Sequence, residues 1–169
     1  FSSSGSTVLI SGTTSTLITS NGFQFQDLQI NNSSGVTLDD NLDVAGSLTL
    51  TDGQINAAGS MVIVRGTAAN AVQGGSSSSF IYGGILRRYI AANTGTYAFP
   101  IGTGSGSSNY FKVDMVNNNL NLPGADDFIQ GSVRSITESG NDIEANLNAY
   151  QDGTPISFIQ ENAIWTLTP

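Results

Sequence analysis

The sequence predicts an all-β protein, in which a short parallel β-helix (a β-solenoid) of about three turns is followed by an antiparallel β-sandwich-like unit. Three observations predict this fold class. Apolar residues alternate over short segments, these segments recur at a nearly fixed interval, and longer alternating segments replace them after Gly66. We therefore expect residues 1–66 to form the solenoid repeats, residues 67–79 a linker, and residues 80–169 the antiparallel unit.

Short apolar pairs fill the first part of the chain. In each pair two apolar residues lie at positions i and i+2, which puts both side chains on one face of a strand. Turn-forming residues such as Asn21, Gly22, Asp52 and Gly53 separate the pairs. A series of short, half-buried strands is therefore predicted. The pairs are Val8 and Ile10, Phe23 and Phe25, Leu28 and Ile30, Val36 and Leu38, Leu42 and Val44, Leu48 and Leu50, and Val62 and Val64.

The pairs recur every nineteen or twenty residues in three interleaved series. The series are Val8, Leu28 and Leu48; Leu17, Val36 and Ile55; and Phe23, Leu42 and Val62. Three series with one period are expected when each turn of a coil gives one strand to each of three parallel sheets around an apolar core. The alternative is an antiparallel sandwich, whose strands recur every ~8–12 residues. The closer spacing of these pairs favours the coil.

Longer strands are predicted in the rest of the chain, separated by loops rich in glycine, serine and asparagine. They cover residues 80–82, 85–90, 96–102, 110–116, 128–136, 156–159 and 163–167. An uncovered solenoid end exposes the hydrogen-bonding groups of its strand edges together with apolar side chains. We therefore expect the antiparallel unit to cap the coil.

The composition excludes several classes of function. Five Lys and Arg residues against 13 Asp and Glu residues give a net charge of −8, which argues against binding to nucleic acid or to an anionic membrane surface. The sequence contains no Cys and no His, so disulfides, thiolate or imidazole metal ligands and His-dependent triads are excluded. No apolar run approaches the roughly 18 residues of a membrane span, and we expect no membrane insertion. We also predict no catalytic site and therefore no enzyme.

Acidic residues in the predicted turns are weak candidates for Ca²⁺ binding, and they are Asp39, Asp40, Asp43 and Asp52. Carboxylate and carbonyl oxygens bind this ion, but the spacing matches neither an EF-hand loop nor the nonapeptide repeat of calcium-binding coils. Solvated turns are the preferred interpretation, and no cofactor is predicted. Glu138, Asp142 and Glu144 lie in a polar segment without the aromatic platform expected near a glycoside-cleaving pair.

Arginines and aromatic residues concentrate in the segment Gly83–Thr103, where we expect them to pack the junction of the two parts or to form an interface. Adjacent residues of a strand face opposite sides. One of Arg87 and Arg88 is thus expected to pair with an acidic residue or to stack on an aromatic such as Tyr97, and the other to lie at the surface. The alternative is a contact with a polysaccharide or a carboxylate. The packing or interface candidates are Arg87, Arg88, Tyr97, Phe99 and Trp165.

Three motifs carry a resemblance to a known family. They are Gly83–Thr103 with its core YAFPIGT at Tyr97–Thr103, then Tyr110–Val113, and later Ala163–Trp165. Together they resemble a module of large secreted surface proteins of the Bacteroidetes, and Phe25–Ile55 is similar to the leucine-ladder β-repeat upstream of that module. The resemblance implies export by the type IX secretion system, a place at the cell surface or outside the cell, and a structural or adhesive role. The C-terminal sorting domain usual in that family is not in this sequence, which leaves the mode of attachment open.

The expected function is that of a non-enzymatic structural or adhesive β-protein, secreted and located at the cell surface. It would be either a segment of a large surface adhesin or a subunit of a self-assembling extracellular filament. Its partners would be like subunits or the remainder of a longer chain, with surface glycans as further candidates. The alternative is a carbohydrate-binding module of a secreted protein. The sequence has no signal-peptide pattern and ends in a strand-like segment, so we expect a mature form or a fragment.

Overall fold

The fold is almost entirely β-structure, with 59% strand and 5% helix, as the sequence predicts. A computed structural model describes residues 5–90, 94–118, 127–135, 150–151, 154–155 and 163–168. None of the helices in these described ranges has the length and hydropathy needed to cross a membrane.

A parallel β-solenoid of about five turns forms the first part of the chain, which confirms the coil and exceeds the three turns expected. The first turn contains β1 (Thr7–Gly12), β2 (Thr16–Ile18) and β3 (Gln24–Phe25). The second contains β4 (Asp27–Asn32), β5 (Val36–Leu38) and β6 (Leu42–Val44). The third contains β7 (Leu48–Asp52), β8 (Ile55–Asn56) and β9 (Met61–Val64). The fourth contains β10 (Val72–Gly74), β11 (Ile81–Tyr82) and β12 (Ile85–Tyr89), and β13 (Gly95–Gly102) begins a fifth.

Each turn gives one strand to each of three sheets. Face A consists of β1, β4, β7 and β10, while β2, β5, β8, β11 and β13 belong to face B and β3, β6, β9 and β12 to face C. Alternate side chains of every strand point inward, so equivalent residues of successive turns stack in columns. On face A the column runs through Val8, Leu28 and Leu48, as the twenty-residue series predicts, and continues to Val72, which the series does not include. These columns form the hydrophobic core of the coil.

Two of the predicted series are wrong at their first member. On face B, Thr16 pairs with Val36 and Leu17 pairs with Thr37, so Leu17 points outward and is 63% exposed. On face C, Phe25 pairs with Val44, while Phe23 precedes the strand and is 73% exposed. On face B the reason is the ladder register, which makes Thr16 and Ile18 the inward residues. On face C, Phe23 still belongs to the preceding turn, because its backbone N–H donates to the Ser20 carbonyl oxygen at 3.0 Å and β3 begins only at Gln24.

The coil does not end near Gly66, so the expected linker at residues 67–79 and the expected boundary at residue 80 are corrected. Val72 pairs in parallel with Leu48, Ile81 with Ile55, and Leu86 with Val62. The intervals are 24 (72 − 48), 26 (81 − 55) and 24 (86 − 62) residues. Longer corners lengthen the fourth turn, and this is why the twenty-residue period fades in the sequence although the stacking continues.

Antiparallel strands then extend faces B and C, which confirms the sandwich-like unit. They are β14 (Tyr110–Asn117), which pairs with β13, β15 (Phe128–Ser135), which pairs with β12, and β18 (Ala163–Thr168), which pairs with β15. A separate pair consists of β16 (Tyr150–Gln151) and β17 (Thr154–Pro155). Faces B and C meet where Phe99 packs on Gly131, whose added Cβ would lie 2.6 Å from the Phe99 ring. The predicted strand at residues 156–159 lies outside the described residues.

Candidate functional site

The first-turn end of the coil, formed by β1, β2 and β3, is its open end. Among the described residues each of these strands is the last of its sheet, so one edge of each has no ladder partner. The inward side chains of Val8, Ile10 and Phe25 are only partly buried. One turn further on, Ile30 and Val44 occupy the equivalent positions and are fully buried. The core is therefore incomplete at this end.

Exposed apolar side chains surround the first-turn end. Leu9, Leu17 and Phe23 belong to this turn and are exposed by 53%, 63% and 73%. Phe23 and Phe25 also line a shallow pocket of about 360 Å³. The sequence predicts Leu17 and Phe23 in the core. The signal against Leu17 is the adjacent Ile18, which is buried. The signal against Phe23 is the Asn21–Gly22 turn directly before it, in which the Phe23 backbone N–H donates to the Ser20 carbonyl oxygen. Leu9 lies in β1, Leu17 in β2 and Phe23 directly before β3, so the first turn exposes an apolar side chain at each of its three strands.

Arg88 closes the core at the other end of the coil. The register puts it in the face-C column that begins with Phe25, Val44 and Val64, and it is fully buried. Its guanidinium donates from Nη1 to the Ala98 carbonyl oxygen at 2.8 Å. Nη2 donates to the carbonyl oxygens at positions 69 (2.9 Å) and 68 (3.4 Å).

The charge of Arg88 is kept despite its burial. Burial lowers the pKa of Arg88 to about 10, and the electrostatic interaction with Tyr97 opposes this shift. The group therefore remains protonated at neutral pH. Among the described residues no carboxylate pairs with it, and the guanidinium instead lies 5.2 Å from the centre of the Tyr97 ring. Three backbone carbonyls and an aromatic face thus replace the usual counter-ion.

The other packing candidates lie around the same junction. Arg87 points to the opposite side of the strand, where its guanidinium lies 4.2 Å from the ring centre of Phe128. Tyr97 and Phe99 are buried, and Tyr97 donates from its hydroxyl to the Thr67 carbonyl oxygen at 3.2 Å. Trp165 lies in β18, where its backbone pairs with Val133 of β15. The arginine expected to stack on Tyr97 is thus Arg88.

Two of the aspartates proposed as Ca²⁺ ligands connect the first turn to the second. Asp39 accepts a hydrogen bond from the Thr19 hydroxyl at 3.2 Å. Asp40 accepts bonds from the Ser20 backbone N–H (2.8 Å), the Ser20 hydroxyl (3.0 Å) and the Asn21 backbone N–H (2.6 Å). The bond from the Ser20 backbone is the main cause that lowers the pKa of Asp40 below its ordinary value.

The other two aspartates also have local partners. Asp43 forms an ion pair with Arg65 at 2.7 Å, and Asp52 accepts the Gly53 backbone N–H at 2.9 Å. Within the described part of the chain no three acidic, His or Cys residues come together as metal ligands. The carboxylates at 138, 142 and 144 lie outside the described residues. Asp39, Asp40 and Asp52 thus accept hydrogen bonds at the corners of the coil, whereas Asp43 lies within β6 and pairs with Arg65.

Comparison of the chain with protein-family models, with curated proteins and with solved structures finds no match.

Proposed function

We propose that the protein is a non-enzymatic structural or adhesive β-protein of the cell surface, and that its first-turn end joins a further coil turn. The observation that carries this proposal is the incomplete core of the first turn, where Val8, Ile10 and Phe25 remain partly exposed beside three strand edges. The other end differs, because antiparallel strands extend two faces there and Arg88 fills the core.

Edge strands offer free backbone N–H and C=O groups that pair readily with another strand. A further parallel turn would supply hydrogen-bond partners to all three strand edges and would bury the inward side chains of Val8 and Ile10. Each fully buried aliphatic side chain contributes ~1.5–3 kcal/mol relative to an exposed one. Two partners fit this surface. In one version the partner is the remainder of a longer adhesin chain. In the other version the partner is a second copy of the chain, bound head to tail so that the copies continue into an open filament and do not close into a ring.

An extracellular place is part of the proposal. Charged residues make up only 11% of the chain, so its solubility depends on Ser, Thr, Asn, Gln and Gly. This composition is common in extracellular β-proteins, and the resemblance of the Tyr97–Thr103 motif to secreted Bacteroidetes surface proteins supports type IX export. Labelling of intact producing cells with a membrane-impermeant biotin reagent tests the location. The proposal predicts labelled protein, and labelling only after lysis would contradict it.

Self-assembly is tested with a matched pair of variants in β1. Ile10 is inward and stacks on Ile30, whereas its neighbour Ser11 is outward and exposed. In the filament version, electron microscopy and sedimentation velocity detect ordered assemblies of the wild type and of Ser11→Lys, but not of Ile10→Lys. Circular dichroism checks that Ile10→Lys stays folded. A strictly monomeric wild type at high concentration would rule out the filament version and leave the longer chain.

A further inference from the structure

A polar groove runs along the outer surface of face B. The outward column of this face consists of Leu17, Thr37, Asn56 and Tyr82, which pair in register from turn to turn. Thr37, Asn56 and Tyr82 line the groove, whose volume is about 440 Å³. This volume lies within the range of ~300–1,000 Å³ typical of small-molecule sites.

Two walls enclose this face-B groove. One is the serine-rich corner between faces A and B, which includes Asp52 and Gln54, and the other is the loop between β13 and β14. The loop is fixed in place, because the Gly106 backbone N–H donates to Gln54 Oε1 at 3.2 Å. Within the loop the Asn109 backbone N–H donates to the Gly106 carbonyl oxygen at 3.0 Å. The groove thus has a preformed shape.

The floor of the groove offers free polar atoms at regular intervals. Among the described residues no hydrogen bond involves the Thr37 hydroxyl, the Asn56 amide nitrogen or the Tyr82 hydroxyl. Asn56 Oδ1 accepts the Ala58 backbone N–H at 3.0 Å, which fixes the amide and leaves its nitrogen to donate. Neighbouring strands lie ~4.8 Å apart, so these groups repeat at a distance comparable with the length of one sugar ring.

An aromatic ring and the scarcity of charge define the ligand class. Tyr82 is half-buried and lies beside Phe80, with ring centres 6.2 Å apart. A half-buried tyrosine presents an apolar face and a polar tip, the combination that contacts the C–H face and the hydroxyls of a sugar. The lining contains one ionisable acid, Asp52, and no basic residue. With a net charge of −8 on the chain, an anionic ligand is disfavoured.

We propose that the face-B groove binds a neutral oligosaccharide, with sugar rings lying along the column of Thr37, Asn56 and Tyr82. This inference rests on the adhesive part of the proposed function and gives it a ligand class. It uses the side of the coil, so it is physically separate from the first-turn end.

Affinity electrophoresis tests the proposal. The protein is run through native gels that contain xyloglucan, laminarin or galactomannan, and through a gel that contains the anionic polysaccharide alginate. We expect at least one neutral glycan to retard the wild type. Tyr82→Ala should weaken that interaction at least about tenfold, as expected when an aromatic anchor is removed. Thr37→Val should weaken it roughly two- to tenfold through the loss of one hydrogen bond.

Tyr89→Ala is the matched control, because Tyr89 is a half-buried tyrosine on face C, away from the groove. It should keep the affinity of the wild type. Thermal melting followed by circular dichroism confirms that each variant is folded. Three results would each contradict binding of a neutral oligosaccharide in this groove. They are no retardation by any neutral glycan, retardation by alginate alone, and equal binding of Tyr82→Ala and the wild type. If a strictly monomeric protein is retarded, the groove binds the glycan, but the filament version of the proposed function is excluded.

Discussion

Arg88 joins β12 to two other backbone segments at the closed end of the coil. Its guanidinium bonds the carbonyls of Ala68 and Ala69, at the start of the 3₁₀ turn Ala69–Ala71, and the carbonyl of Ala98 in β13. Hydrogen bonds to a charged group contribute ~1.5–3 kcal/mol each, and an unsatisfied buried carbonyl has a cost of similar size. An arginine is therefore accommodated in an otherwise apolar column because its guanidinium donates to three backbone carbonyls.

Replacing Arg88 by methionine should lower the free energy of unfolding by about 3 kcal/mol, since the side chain keeps much of its volume but the hydrogen bonds from the guanidinium are lost. Arg87→Met provides the matched control. Arg87 is half-buried and its guanidinium stacks on Phe128, a contact that contributes ~1 kcal/mol. Urea denaturation measures the loss in the free energy of unfolding for both variants. Equal losses for the two variants would contradict the role assigned to Arg88.

Asp40 should make the stability of the first two turns dependent on pH. Its pKa is lowered below the ordinary value of 3.8 in the folded protein, mainly by the Ser20 backbone N–H. A carboxyl group with a lowered pKa stabilises the fold above its unfolded-state pKa, and this contribution disappears as the pH falls through the folded-state pKa. Asp40→Asn should therefore be less stable than the wild type at neutral pH, and the difference should shrink below pH 3.8. A difference that is independent of pH in urea titrations would refute this assignment.

The corners between strands set the distance between turns. At the A–B corner Gly53 has φ +80°, and a Cβ there would lie 1.6 Å from the Asn32 carbonyl oxygen of the preceding turn. Ser79 of the following turn donates from its hydroxyl to the Gly53 carbonyl oxygen at 2.9 Å. Successive corners thus touch through backbone atoms, and only glycine permits this contact.

Gly53→Ala should be far more destabilising than Gly59→Ala. Both glycines have positive φ, but a Cβ on Gly59 meets no atom within 4 Å. Gly59→Ala should therefore show only the backbone strain of ~1–2 kcal/mol. Gly53→Ala must also separate two turns, and a loss on the order of 4 kcal/mol is expected. Thermal or urea unfolding compares the stabilities of the two variants. Similar values would mean that the corners are not closely stacked.

The alternation of apolar residues predicts strands and their spacing, but it does not decide between adjacent apolar residues. Leu28 and Leu48 stack as predicted because each has polar residues on both sides, and Val8 joins their column although the apolar Leu9 follows it. Leu17 is followed by Ile18, and hydrophobicity alone cannot tell which of the two is inward. The ladder register makes Ile18 the inward residue, because it pairs with Leu38 of the next turn.

The fourth turn could not be predicted because its longer corners change the interval between stacked residues from about 20 to 24 or 26. Residues 67–79 have the composition of a linker, yet they contain β10, and Ser79 is buried against the third turn. The face-B column was missed for the same reason, since Asn56 and Tyr82 are 26 residues apart (82 − 56). The burial of Arg88 also depends on carbonyls from distant segments, and no local pattern in the sequence marks it.

The whole molecule is a coil with two unlike ends and one grooved side. Its closed end continues into antiparallel strands on faces B and C, while its first-turn end presents three strand edges and a partly exposed core. Repeat proteins need terminal caps because an uncapped turn exposes apolar surface. The difference between the ends is therefore the physical basis for a directional contact with a further turn.

Amide hydrogen exchange of the first turn tests this claim most directly. The exchange of β1, β2 and β3 in the dilute purified chain is compared with that in the native form isolated from the producing cells, whether this is a longer chain or an assembly. We predict fast exchange in the purified chain and strong protection of all three strands in the native form, with β7 to β9 protected in both. Equal exchange of the first turn in the two forms would contradict the account.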